Sequence, residues 1–259
     1  MPETRRYRWS RRPWASGLPG LALLMVLAGG CATAPREAPA PLPAAPPPTV
    51  PPAIHWVATA AEYEGLSRQV YRTAGERVEE LARGRAAGGW AVALDADETV
   101  ISNLGYQREL TAAGAVHSPE RWRAWVERRE ATPLAGAVEF LERVRELGGR
   151  IALVTNRSLE ECPATEDNFE EKGIPFDVML CRGPDTSEKE PRWQRVEAGQ
   201  ETGLPPLEIL VWVGDNIQDF PDLEQSIRDD GPEAFAEFGR RYFLIPNPLY
   251  GSWEANPVE

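Results

Sequence analysis

Four stretches of this chain carry the side chains that phosphate chemistry needs. The first is Asp95-Ala96-Asp97-Glu98-Thr99, with two aspartates two residues apart. The second is Thr155-Asn156-Arg157. The third is Lys189, at the start of a helical segment, and the fourth is Gly214-Asp215-Asn216 followed by Asp219. Carboxylates gathered at one point repel each other unless a hard cation neutralises them, and aspartate oxygens with waters are what Mg²⁺ prefers. That cation, a lysine and a hydroxyl together could hold a phosphate dianion. One carboxylate could then attack phosphorus to form an aspartyl-phosphate. A second could protonate the leaving oxygen and later deprotonate the water.

Taken singly, each stretch has an ordinary reading: Asp-x-Asp is common in loops, Thr155 could cap a helix, and Asp215-Asn216 could form a turn. Their occurrence together and in order is what points to chemistry. Lys189 adds to it, because the chain has one other lysine, Lys172, against 26 arginines. A compact ammonium has been kept where guanidinium is otherwise used, and the two bind phosphate differently.

The elements that must position these groups follow from apolar patterning. Trp90 to Leu94 is a short continuous apolar run that leads straight into Asp95. Similar runs span Arg150 to Val154, Asp177 to Leu180 and Glu208 to Val213, and a late one spans Tyr242 to Ile245. Amphipathic segments lie between them, around Ala135 to Leu147, Pro163 to Lys172 and Lys189 to Ala198, and a longer helical pattern covers Ala60 to Arg83. Buried strands alternating with helices predict an α/β fold, a Rossmann-like parallel sheet with helices on both faces. In such a sheet, ligands bind outside the carboxyl ends of the strands. The polar stretch from Ser102 to Pro133, with Trp122 and Trp125, interrupts the alternation and reads as an inserted helical cap. The cap would draw on about 54–84 and 102–133 of a folded body covering 54–259.

Before that body the sequence reads as an address and a spacer. Residues 1–30 have a basic start and a short apolar run, Leu18 to Ala28, which suits a signal peptide. Small residues directly before Cys31 resemble a bacterial lipobox, with Cys31 lipidated; an ordinary signal cut near Ala32 or Ala34 is the alternative. Ser10-Arg11-Arg12 also resembles a twin-arginine signal, leaving the export route open. Residues 31–53 form a Pro/Ala-rich tether. Nine prolines between Pro35 and Pro52 stiffen it, and it lacks the apolar side chains to fold. The whole 259-residue chain has a formal charge of −12. Losing residues 1–30 leaves 23 basic against 39 acidic residues, a net −16. That balance argues against nucleic acid as a partner.

The motif set Asp95-x-Asp97-x-Thr99, Thr155, Lys189 and Gly214-Asp215-x-x-x-Asp219 resembles the four motifs of the haloacid-dehalogenase superfamily. More narrowly, the chain is similar to class C acid phosphatases, bacterial surface lipoproteins that include outer-membrane lipoprotein 5′-nucleotidases. Trp122-x-x-Trp125 and the block Pro246-Asn247-Pro248-Leu249-Tyr250-Gly251-x-Trp253-Glu254 carry the narrower likeness. The resemblance implies an Mg²⁺-dependent phosphomonoesterase, lipid-anchored at Cys31, with a homodimer open as an assembly. Asp95 would be the nucleophile and Asp97 the general acid and base. Thr155, with Asn156 beside it, and Lys189 would hold the phosphoryl group. Mg²⁺ would be held by Asp95, Asp215 and the backbone carbonyl of Asp97, with Asp219 in support. Trp122 and Tyr250 stand where nucleotidase members clasp the base, or else simply pack the cap. A phosphotransferase using the same intermediate, or a non-catalytic surface lipoprotein on the same fold, are the competing readings. Trp193 stands where relatives often carry a basic residue, which would alter the electrostatics on the phosphate side. His55 and His117 match no catalytic role. Cys162 and Cys181 fall at the same edge of neighbouring strands and could form a disulfide, with two separate buried thiols as the alternative.

Overall fold

A computed structural model describes residues 50–258; the export signal, Cys31 and nearly all of the tether lie outside them. Five strands form one parallel sheet in the order β5-β4-β1-β6-β7. They are β1 (Trp90–Leu94), β4 (Arg150–Ser158), β5 (Val178–Arg182), β6 (Glu208–Gly214) and β7 (Tyr242–Leu244). The central strand β1 is buried along its whole length, which is why its sequence is an unbroken apolar run. Its residues nevertheless alternate between two cores. Val92 and Leu94 pack on one face with α2 (Ala61–Leu81), α5 (Ala137–Glu146) and α6 (Cys162–Glu171). Ala91 and Ala93 pack on the other with Trp193 and Val196 of α7 (Glu190–Ala198) and with Trp212 and Phe220. The small residues on that second face make room for the bulky indoles. The chain runs outward from β1 to β4 and β5, then returns to place β6 and β7 on the opposite side. The crevice between β1 and β6 is thus the switch point at which such sheets bind ligands.

Three helices and two short strands, α1, α3, α4, β2 and β3, lie outside this frame. α1 (Pro52–Thr59) packs against α3 (Leu104–Ala113), burying Ile54 and Val57. After β1 the chain leaves through β2 (Ile101–Ser102), forms α3 and α4 (Pro119–Glu127), and returns through β3 (Thr132–Pro133). Antiparallel pairing of Ile101 with Pro133 and of Ser102 with Thr132 ties the exit to the re-entry, so the insertion is closed at its base.

Several boundaries differ from the sequence reading. The fold starts with α1, ahead of the helix expected from Ala60; Ala60 has extended backbone (ψ 125°) and separates the two helices. α2, read as part of the cap, lays Tyr71, Ala74 and Val78 in the main core against the sheet and α5. β4 runs four residues beyond Val154, so Thr155, Asn156 and Arg157 belong to the strand itself. Two-residue strands such as β2 and β3 carry no periodicity, and they were not legible. Among the described residues no helix is long and apolar enough to cross a membrane.

Candidate active site

A cavity of about 620 Å³ opens at the carboxyl ends of β1, β4 and β6. Asp95, Asp97, Asn156, Lys189, Asp215 and Asp219 line its floor; Trp122 and Tyr250 line it as well. Thr155 is the exception among the sequence candidates. It is fully buried, its hydroxyl accepts the Arg157 N–H (3.2 Å), and it does not line the cavity.

On the β6 side, Asp95, Asp215 and Asp219 each offer an oxygen, and these lie within 4.8 Å of one another. The backbone builds this cluster. Gly214 ends β6 without a side chain, and a Cβ there would run into the Asp219 carboxylate. Asp219 therefore folds back to accept the N–H groups of Asp215 (3.1 Å) and Asn216 (2.9 Å). Asp215 is held by Thr99 Oγ1 (3.0 Å) and Asn247 Nδ2 (2.7 Å), both of which donate to it. Lys189 is the cation present: its ammonium donates to Asp95 Oδ1 and pairs with Asp219 at 2.6 Å.

Fully ionised, three carboxylates against one ammonium would leave two negative charges in excess, and burial works against that state. Burial, partly offset by Lys189, pushes the Asp95 carboxyl up to about 7. Burial, with Asp219 and Asp95 adding to it, pushes Asp215 well above the carboxylate range. Burial by itself would lower Lys189, but the pull of Asp219 and Asp95 outweighs it and holds the ammonium charged. A buried set of hard oxygens short of two positive charges fits a divalent cation.

On the β4 side, Asp97 faces away from that cluster. Arg157 donates to Asp97 Oδ1 from Nη2 (2.7 Å) and Nε (3.0 Å), and Nε also reaches Oδ2 (3.1 Å). Asn103 Nδ2 adds a third donor to Oδ1 (2.8 Å). The side chain of Asp97 is therefore engaged with Arg157 and Asn103, and it was the backbone carbonyl of Asp97 that the resemblance offered to the metal. Beside it, Glu98 is buried with left-handed backbone (φ 50°), an uncommon state for a residue with a side chain. Its carboxylate accepts the N–H of Asn103 (2.6 Å) and the hydroxyl of Tyr250. Burial, and then the charge of Asp97, push Glu98 up to about 7.

Other residues hold the frame. Arg192 donates to the Thr155 carbonyl and to Asn156 Oδ1 (2.6 Å). Burial lowers this guanidinium to about 10. Trp193 turns the other way, into the α7 core against Trp212 at 6.3 Å between ring centroids. The Arg157 guanidinium lies over the Trp122 ring at 5.2 Å. Exposed His117 meets the Tyr106 hydroxyl at 3.0 Å through Nδ1, and His55 is exposed on α1. A disulfide joins Cys162 at the start of α6 to Cys181 in β5.

Sequence reasoning assigned no role to Arg157, Glu98, Asn103, Arg192 or Asn247. Arg157 and Glu98 stood inside motif blocks, and Asn247 lay in Pro246-Asn247-Pro248, but no local spacing marked what they would touch.

Comparison with known proteins bears on this geometry. The family model described as HAD superfamily, subfamily IIIB (acid phosphatase) matches residues 42–253. Acid phosphatase 1 of Solanum lycopersicum is 26% identical over 158 residues, which is 61% of this chain and 57% of that protein's length. The class C acid phosphatase of Bacillus anthracis with tungstate bound superposes with a TM-score of 0.69 at 28% identity, over 78% of this chain and 85% of that one. A second structure of the same enzyme gives 0.68 at 29% identity and the same coverage.

Proposed function

The chain belongs to the acid phosphatases of HAD subfamily IIIB, and from that premise we propose that it hydrolyses phosphomonoesters through an aspartyl-phosphate on Asp95. The observation that carries this reading is the convergence of Asp95, Asp215 and Asp219 around Lys189 at the floor of the cavity. Those three aspartates would hold Mg²⁺. When bound, the cation supplies the positive charge that lets a phosphate dianion approach a carboxylate nucleophile.

The chain's own groups do the rest. Lys189 fixes Asp95 by its Oδ1. The Asp95 carboxylate forms a bond to phosphorus as the bond to the leaving oxygen breaks. Asp97, held at the cavity wall by Arg157, gives that oxygen its proton. A water then loses a proton to Asp97 and attacks phosphorus, and the Asp95–phosphorus bond breaks to release inorganic phosphate. The tungstate in the Bacillus anthracis relative is an oxyanion of phosphate's charge, in keeping with this substrate class.

A finer reading concerns the leaving group. Trp122 and Tyr250 line the same cavity as the carboxylates, and their rings would clasp a nucleobase. That makes 5′-nucleotides the favoured substrates. Lipidation of Cys31 would place the enzyme at the outer membrane, acting on external substrates.

Phosphate release from AMP, NMN and p-nitrophenyl phosphate, each with Mg²⁺ and with EDTA, tests the proposal. Cation-dependent release that favours the nucleotides is expected. Equal rates on all three would remove the base clasp and leave the phosphatase. No release from any would overturn the reading.

A further inference from the structure

Asn103 is fully buried, and every hydrogen-bonding position of its amide is taken. Trp125 Nε1 (2.7 Å) and Arg157 Nη2 (3.2 Å) both donate to its Oδ1. Its two N–H groups go to two carboxylates, Asp97 Oδ1 (2.8 Å) and Glu98 Oε2 (3.0 Å). The indole and the guanidinium can only donate and ionised carboxylates can only accept, so the amide has one orientation. Asn103 stands at the N-terminus of α3, where an asparagine ordinarily turns its oxygen onto the first N–H groups of the helix. Here the side chain makes no such cap, and Ser102 Oγ accepts the Leu104 N–H in its place. The amide has been diverted from the helix to Asp97.

The consequence lies in how the two oxygens of Asp97 are used. Oδ1 receives three donors, two from Arg157 and one from Asn103. Oδ2 receives one, at the longer 3.1 Å. We propose that Asn103 is a positioning residue for Asp97: by saturating Oδ1 together with Arg157, it leaves Oδ2 as the oxygen that carries the proton to and from the reacting groups. Trp125 extends the arrangement into α4. Its ring lies so close to Gly105 that a Cβ there would come within 2.5 Å, and its N–H sets the amide that sets Asp97. The insertion thus reads out on the acid and base as well as walling the cavity.

This assignment rests on the phosphomonoesterase reading, and leaving-group dependence separates the two. An alkyl phosphate needs its leaving oxygen protonated, whereas p-nitrophenolate leaves with little help. The measurement is kcat/KM on both substrates for the wild type, Asn103→Ala and Trp125→Phe, with thermal unfolding of each. Asn103→Ala should lose about 10²-fold on the alkyl phosphate and less than about 10-fold on p-nitrophenyl phosphate, in line with the worth of a positioned general acid. Trp125→Phe keeps the ring and loses only the donor, so it should show the same skew at several-fold. It carries the test if Asn103→Ala fails to fold. Equal losses on the two substrates, or no loss on either, would overturn the positioning role while leaving the phosphatase intact. A wild type silent on both would overturn the phosphatase reading and this assignment with it.

Discussion

The two aspartates that follow β1 stand two residues apart, in surroundings of opposite electrical character. Asp95 belongs to a group of three carboxylates with one ammonium, Lys189, between them. Asp97 is paired with a buried guanidinium, Arg157, and the donors of Asn103 and Tyr250 serve Asp97 and Glu98 beside it. The first group remains short of positive charge, and only something from outside the chain removes the shortage. In the second, Asp97 is compensated within the protein by Arg157, and Glu98 has hydrogen bonds from Asn103 and Tyr250 but no cation of its own. A buried charge left uncompensated costs more than the same charge paired. The β6 side is therefore where a ligand is expected, and the β4 side is where rigidity is expected.

The largest effect should separate activity from stability. Asp95→Asn should lower phosphate release by at least about 10⁴-fold, as removal of a nucleophile does. It should leave the cation-free protein as stable as the wild type or more so, because it removes a carboxylate that burial disfavours. A fall in melting temperature to match the lost activity would contradict an electrostatically strained β6 side.

Arg157→Ala should do the reverse on the other side. Asp97, partly exposed and still held by Asn103, would lose its ion-pair partner, at a cost of about 2 kcal/mol by denaturant unfolding, below that for a fully buried pair. Divalent cation should not restore that loss. Restoration by cation would mean that the two sides share one charge balance.

The smallest effect is a pH dependence. Asp95 and Glu98 titrate at about 7 in the folded protein, against about 4 in an unfolded chain. Between those values the folded state binds more protons than the unfolded one, so these groups lower stability as pH rises through that window. Saturating Mg²⁺ should cancel much of this on the β6 side. The gain in melting temperature on adding Mg²⁺ should therefore grow from pH 5 to pH 7, worth on the order of 1–2 kcal/mol. A gain that shrinks as pH rises would break the link between the acidic cluster and the cation.

Much of this architecture was legible in local patterns. β1 spans the same five residues as its apolar run, because a strand buried on both faces admits no polar residue. Asp95 and Asp97 could be placed at its end for the same reason, and Lys189 stood out by its rarity. α1, β2 and β3 were not legible: the first follows a proline-rich stretch, and two-residue strands show no period. The pairing of Arg157 with Asp97 spans 60 residues and that of Tyr250 with Glu98 spans 152, so no spacing rule relates them. The direction of Trp193, into the core against Trp212, depended on where α7 packed, which no local pattern gives.

By itself the sequence determined which runs form the sheet and which residue types suited to phosphate chemistry follow them, since both depend on residue type and near neighbours. Only the tertiary structure decided that Asp95 sits in unbalanced negative charge while Asp97 is held by Arg157 and Asn103. Coulomb forces and hydrogen bonds act across a few ångströms of space, and folding alone brings residues 95, 103, 157, 189 and 215 within that reach.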